Sequence, residues 1–213
     1  MAGPVDNPCM DTAPDWANLA AELMAARQTV LPWRLGGPGP DAAQLQAILA
    51  AAASAPDHRC LQPWRFITVP AERRDDLADV FAQALLERDP QAAPHEVAKA
   101  REKGFRSPFL ALLASTTSSA RKGDADIGLA ERLVSAGAAA QNVLLMATAL
   151  GYGSALTAGQ SVRSAVLHRF FGLRASEQAV CFINIGTALS HGTMRVRPAV
   201  ADYVHTLGQG DST

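Results

Sequence analysis

The stretch SAPDHRCLQPWRFITVP, residues 54–70, concentrates the side chains of this chain that are best able to do chemistry. Asp57, His58 and Cys60 stand in one short segment, ahead of Gln-Pro-Trp and an apolar run. All three side chains are possible metal ligands, and a cysteine close to a histidine is also a possible nucleophile with its base. The third interpretation is a loop, restrained by its two prolines, that holds something flat and polar.

The spacing of the histidines argues against a metal site. A zinc or iron site takes three or four convergent ligands at recognisable spacing, whereas Asp57, His58 and Cys60 crowd into a single loop. No HxxxH or HExxH pattern occurs among the other histidines, which are His95, His168, His191 and His205. We therefore expect no metal site.

The cysteines favour a structural role over nucleophilic chemistry. His58 lies two residues before Cys60, which in an extended loop sends both side chains to the same side, but no nucleophile elbow surrounds this cysteine. Cys181 stands inside an apolar strand, where a core position is expected. Together with Cys9 they make three widely spaced cysteines without a CxxC, which argues against a disulfide framework and favours a reducing compartment.

A phosphate-binding loop is also absent from the sequence, because neither GxGxxG after a strand nor a Walker lysine motif occurs. A bound phosphate would therefore depend on backbone N–H groups and on scattered cationic side chains. The candidate cations are Arg27, Arg34, Arg195 and Arg197.

The elements that must position these residues follow from hydrophobic periodicity and from turn signals. Helices are predicted at 15–27, 41–53, 71–88, 94–105, 129–150 and 161–173. Strands are predicted at 64–69, 109–117, 152–159 and 178–189, while the Pro- and Gly-rich segment 29–40 is predicted to be a loop. Helices dominate and connect about four strands, so an α+β layer architecture is expected.

Two of these elements carry further expectations. The helix 129–150 is small and apolar nearly all round, which favours a buried central position, against the rest of the chain or a second copy of it. Trp64 opens a strand beside a proline and is expected in the core.

The totals describe an ordinary globular chain of 213 residues with 48% hydrophobic and 18% charged residues. Its net charge of −1 gives no reason to expect nucleic acid or an anionic membrane as a partner. No apolar run reaches the roughly 18 residues that span a bilayer. The N-terminus lacks the pattern of a signal peptide, so the cytoplasm is the expected location. We expect a mobile leader over 1–14, in which Met10 is an alternative start to Met1, and one domain over 15–205.

Read together, these segments resemble the FMN-dependent nitroreductase family. A helix ends in AARQT, a Pro/Gly loop follows, and the next helix ends in AAASAPDHRCLQPWRF and leads into a strand. The spacing of APDH and QPW is closest to a subgroup of short NAD(P)H nitroreductases. The long alanine-rich helix, GYGSALTAG and INIGTAL follow in the family's order, so the resemblance covers about 16–203.

The resemblance implies a nitroreductase-like α+β sandwich, with a central, mainly antiparallel sheet flanked by helices in a domain-intertwined homodimer. One FMN would occupy each of two interface sites, accept hydride from NADH or NADPH, and reduce an electron-poor small-molecule acceptor such as a nitroaromatic or quinone in a ping-pong cycle. No catalytic side chain is expected, because the cofactor carries the chemistry. The alternatives are a non-catalytic FMN-binding protein for sensing or storage, and a reductive dehalogenase or flavin-fragmenting relative.

The family's cofactor contacts transfer to this chain by position. Arg27, Gln28 and Thr29 fall on the Arg-Arg-Ser segment that contacts the flavin's phosphate and ribityl chain. Gln28 replaces the second arginine, so a basic residue of the tail is expected to compensate. The candidates for that role are His191, Arg195 and Arg197. The negative charge of reduced flavin is expected to be stabilised by Arg27 or by a tail arginine.

Two further groups of contacts are implied by the same resemblance. Ser54 and His58 match positions that approach FMN from the other subunit, and Leu156, Thr157 and Ala158 fall on the loop that passes the isoalloxazine with mainly backbone contacts. The chain departs from the family at Cys60, which replaces a common asparagine, and in the segment 29–37, where Pro32 and Trp33 are inserted.

Overall fold

The fold is a computed structural model that describes residues 15–118, 126–190, 192 and 196–208. The predicted leader 1–14, His191 and Arg195 lie outside the described residues. The described helices are α1 (Trp16–Ala26), α2 (Ala42–Ala50), α3 (Arg74–Arg88), α4 (Pro94–Arg101), α5 (Leu129–Ala149) and α6 (Ala165–Phe170). The described strands are β1 (Leu35–Gly36), β2 (Trp64–Thr68), β3 (Phe109–Thr116), β4 (Gly153–Thr157) and β5 (Glu177–Ala188).

The five strands form one sheet in which every named strand pair is antiparallel. The order is β1-β5-β3-β2, and β4 pairs with β5 as well. This confirms the expected α+β fold with a mainly antiparallel central sheet and flanking helices. Strand β1 was not predicted, because its two residues lie in the Pro/Gly segment and become a strand only by pairing with Ala188 and Thr187 at the far end of β5.

Helices cover the two faces of the sheet in separate layers. Because side chains alternate along a strand, Leu113 of β3 packs with α2 and α5, while its neighbour Leu112 packs with α3, α4 and α6. Trp64 is 8% exposed in the first layer, which confirms its predicted core role. The sheet therefore separates the α2–α5 layer from the α3–α4–α6 layer.

The helix boundaries differ from the predictions at two places. The predicted helix 41–53 continues beyond α2 only as a 3-10 turn at Ala51–Ser54. The predicted helix 161–173 is split by Ser164, whose side chain accepts the Leu167 N–H as an N-cap, because serine competes for backbone groups at helix starts. Gly151 adopts φ +83 directly after α5, the left-handed conformation that the predicted helix stop requires.

Helix α5 is buried on one face only, which corrects the expectation that it is covered nearly all round. Val134 in this helix is 71% exposed. Helix α1 has no buried residue, and its Trp16 and Met24 are 70% and 58% exposed. A single chain therefore leaves apolar surface of both helices open. None of the helices in the described part of the chain combines the length and hydropathy that crossing a bilayer requires.

Candidate functional site

Two arginines from opposite ends of the chain meet at the end of α1. Arg27 is the residue that follows this helix, and Arg197 Nη2 donates a 3.0 Å hydrogen bond to its carbonyl oxygen. Loss of hydration, and then repulsion from Arg197, lowers the pKa of Arg27. Among the described residues no carboxylate pairs with either guanidinium. Two neighbouring cations without a counter-ion suit a phosphate group.

The backbone after Arg27 runs beside β4. Thr29 forms a parallel bridge with Ser154, and the Val30 N–H donates to the Ser154 carbonyl oxygen at 2.9 Å. Gly153 permits this approach, since a Cβ there would lie 3.0 Å from the Val30 Cγ2 atom. The Ser154 hydroxyl is buried without a hydrogen-bond partner in the described part of the chain. The structure thus joins the predicted residues 27–29 to the strand that leads into 156–158.

The end of β4 is held by a buried polar network that the sequence did not reveal. Asn184 of β5, only 3% exposed, donates from Nδ2 to Thr157 Oγ1 at 3.1 Å. Its Oδ1 accepts from Ser107 Oγ at 3.1 Å. Because the Thr157 oxygen already accepts a hydrogen bond, its own proton is free to be donated elsewhere. Leu156 is 44% exposed and Ala158 is exposed, so this segment also presents its backbone outward.

An inner chamber of about 130 Å³ adjoins this segment. Thr157 and Ala158 line it together with Lys103 and Arg106, which follow α4 in the chain. The Arg106 guanidinium lies 5.9 Å from the centre of the Trp33 ring, so the inserted tryptophan contacts a cation of this chamber. Sequence patterns gave no indication of Lys103 and Arg106, because long-range packing brings them to β4.

The segment that carries Arg106 is fixed by a buried arginine. Arg74 is 7% exposed and donates to the carbonyl oxygens of Val69, Gly104 and Pro108 at 3.0, 2.9 and 3.0 Å. Burial lowers the pKa of Arg74, and its planar fork has no carboxylate partner among the described residues. Arg74 therefore pins both sides of the turn from which Arg106 extends.

The loop after α2 is a turn rather than an extended strand. His58–Cys60 form a 3-10 turn in which Arg59 and Cys60 have φ 56 and 51, a left-handed conformation that is unfavourable for residues other than glycine. His58 Nδ1 lies 2.7 Å from Glu131 Oε2 of α5. The expectation that His58 and Cys60 extend to the same side of an extended loop is therefore wrong, and the histidine ring is engaged by a carboxylate instead.

The cysteines do not gain a nucleophile's environment in this structure. Cys181 is buried in the core, and loss of hydration raises the pKa of its thiol to about 11. Cys60 is exposed. Within the described ranges, no three side chains among His, Cys, Asp and Glu come close enough to hold a metal ion.

One chain brings together only part of the predicted cofactor site. Arg27, Thr29 and the 156–158 segment are neighbours along β4. Ser54 and His58 belong to the turns that pack with the α2–α5 layer. The inner chamber is lined by Phe81 and other residues of the opposite layer. The sheet therefore separates the two groups within a single protomer.

Comparison with known proteins identifies the fold and the family. The model described as "Nitroreductase family" matches residues 37–187. "Putative NAD(P)H nitroreductase YdjA" of Escherichia coli K12 is 33% identical over 168 residues, which are 79% of this chain and 87% of that protein.

Two solved structures share the fold at low identity. A nitroreductase-like family protein from Bacillus cereus superposes with a TM-score of 0.72 at 19% identity over 89% of this chain and 96% of that one. The NADPH:FMN oxidoreductase from Vibrio harveyi, solved with NAD+, gives a TM-score of 0.68 at 16% identity over 91% of this chain and 79% of that one. The family match and the relative in Escherichia coli confirm the predicted resemblance, and this chain belongs to the nitroreductase family.

Proposed function

We propose that this protein is an NAD(P)H-dependent FMN oxidoreductase that reduces an electron-poor acceptor such as a nitroaromatic or a quinone. The observation that carries the proposal is the unpaired cation pair of Arg27 and Arg197, next to the Thr29–Ser154 bridge. Family membership supports it, as do the names of the NAD(P)H nitroreductase from Escherichia coli and the NADPH:FMN oxidoreductase from Vibrio harveyi. FMN, when bound, would supply hydride acceptance and donation.

The residues at the two ends of this site suit different parts of FMN. Arg27 and Arg197 would hold the phosphate as charge-assisted hydrogen-bond donors. Gln28 is half-buried and Thr29 exposed, so their side chains are available to the ribityl hydroxyls. Arg197 takes the compensating role expected from the tail, because it is the described tail cation that contacts the Arg27 segment.

The flat ring system would lie along the end of β4. Leu156 and Ala158 offer backbone groups and apolar surface there, and Thr157 has a proton to donate. We assign the stabilisation of negative charge on the reduced ring to Arg106, which lines the chamber beside Thr157 and Ala158. Arg27 and Arg197, which the sequence favoured for this role, are better suited to the phosphate.

A second copy of the chain would complete the site. Ser54 and His58 lie across the sheet from the 156–158 segment, so we propose that they reach the cofactor of the partner protomer. The apolar surface of α1 and α5, including Trp16, Met24 and Val134, is the area that such a homodimer would cover. Both features depend on the same assembly.

Anaerobic stopped-flow absorption spectroscopy tests this proposal. The purified protein should carry the absorption bands of bound FMN, lose them on mixing with NADH or NADPH, and regain them when a nitroaromatic or quinone is added. Arg169→Gln, an exposed cation of α6, is the matched control and should behave like the wild type. A flavin-loaded protein that neither nucleotide reduces would indicate a non-catalytic FMN-binding protein instead. A protein that takes up no FMN would refute the cofactor assignment.

A further inference from the structure

A second cavity, of about 270 Å³, opens next to the inner chamber. We call it the outer chamber. Both chambers are lined by Phe81, Lys103, Arg106 and Ser161, so they form one cleft. The cleft runs from Thr157 at the end of β4 to the surface between α3 and α4.

Cations dominate the outer chamber. Arg88, Lys99, Lys103 and Arg106 all line it. Arg106 pairs with Glu102 at 3.8 Å, and none of the other three has an ion pair among the described residues. Such a concentration of unpaired positive charge in a concave surface attracts an anion.

The one carboxylate among the described residues that line this chamber does not neutralise it. Glu96 uses its Oε2 to accept the Ala93 N–H at 2.9 Å and so caps the start of α4. Loss of hydration, followed by repulsion from Arg106, Arg88 and Lys99, lowers the pKa of Lys103. The cations are therefore held together at an electrostatic cost that a bound anion would relieve.

The inner chamber differs from the outer one in chemistry and in size. Its apolar lining consists of Phe81, Leu110 and Phe182, all nearly fully buried. Its volume of about 130 Å³ is close to the cavity size of ~150 Å³ that accepts a benzene ring. The cleft thus presents a compartment for one aromatic ring, followed by a cluster of cations.

We propose that this cleft binds an acceptor made of a small aromatic body and an anionic substituent, a carboxylate or a phosphate. The ring occupies the inner chamber beside Thr157 and Ala158, and the anion lies among Arg88, Lys99 and Lys103. The assignment rests on the proposed function, because it names the substrate class of that site. It also predicts selective binding of anions, which is measurable without turnover.

Isothermal titration calorimetry with two probes of the same shape tests the assignment. The oxidised, FMN-loaded protein is titrated with 4-nitrobenzoate and with the neutral 4-nitrobenzamide. The wild type should bind the benzoate more tightly. Lys99→Gln and Lys103→Gln combined should weaken benzoate binding roughly fivefold to tenfold, the effect of losing two partly exposed charge contacts. Binding of the amide should change less than about twofold, and Arg169→Gln should leave both affinities unchanged.

Further measurements keep the outcomes distinct. Raising NaCl from about 0.05 M to about 0.5 M should weaken wild-type binding of the benzoate but not of the amide, which requires no variant at all. Equal affinities for both probes, or equal losses for both in the double variant, would overturn the proposal. A variant that instead raises only the Kd for NADPH, with NADH and benzoate unaffected, would assign the cations to the reductant and overturn it as well. If the protein binds no FMN, the proposed function fails, while the same titrations on the apoprotein still decide anion selectivity.

Discussion

Replacing Arg197 with glutamine should separate FMN binding from protein stability. The Arg197 side chain is exposed and contacts the Arg27 carbonyl oxygen, while its charge opposes that of Arg27. In the apoprotein, the variant loses one exposed hydrogen bond but also relieves a repulsion between two cations. We therefore expect the free energy of unfolding to change by less than about 0.5 kcal/mol.

The same change should weaken FMN binding clearly. A hydrogen bond to a charged group contributes about 1.5–3 kcal/mol, and an exposed donor such as Arg197 belongs at the lower end. A loss of about 1.5 kcal/mol raises Kd roughly tenfold. Arg27→Gln removes the half-buried partner, so a loss of about 2.5 kcal/mol and a roughly sixtyfold rise in Kd are expected. Arg197→Lys should fall between the wild type and Arg197→Gln, because lysine keeps the charge without the planar fork.

Quenching of flavin fluorescence during titration of the apoprotein measures these affinities. Riboflavin, which lacks the phosphate, is the matched ligand control, and Arg169→Gln is the matched protein control. Both arginine variants should bind riboflavin as the wild type does. If Arg197→Gln weakens riboflavin as much as FMN, or leaves both unchanged, the assignment of the cation pair to the phosphate is wrong.

The remaining predictions concern the supports of the site. Arg74→Met should cost about 3 kcal/mol in urea unfolding, because three buried carbonyl oxygens lose their donor, and Arg74→Lys should recover only part of it; a cost below about 1 kcal/mol would contradict this. The side chain of Glu177 is 4% exposed and bonded to Arg65, and this hydrogen bond is the main cause of its lowered pKa. Its stabilisation is present above the unfolded-state pKa and is lost as pH falls through the folded-state pKa, so the urea midpoints of wild type and Glu177→Gln should differ at pH 7 and converge towards pH 3. Asn184→Leu removes the donor that orients Thr157, and should slow flavin reduction in stopped flow more than it raises the Kd for FMN; equal effects on both would indicate a general loss of the site.

Much of the architecture could be predicted from the sequence because it depends on local patterns. The apolar run of β3 and the glycine after α5 carry their signals within a few residues, and both elements appear where they were expected. The loop with APDH and QPW also identified the family, since its residues and spacing are specific. The positions 27–29 and 156–158 come together because α1 and β4 are correctly ordered in that family fold.

The tertiary structure alone decided what surrounds those residues. Lys103 and Arg106 stand in a segment with an ordinary helical pattern, and only the packing of α4 against α3 brings them to the end of β4. His58 met Glu131 of α5 rather than the nearby Cys60, because left-handed residues reverse the loop. Charges and hydrogen bonds act over a few ångströms in space, whereas sequence patterns report neighbours along the chain. The local pattern therefore determined the elements and the loop, and the long-range packing determined which cations and which polar groups face the site.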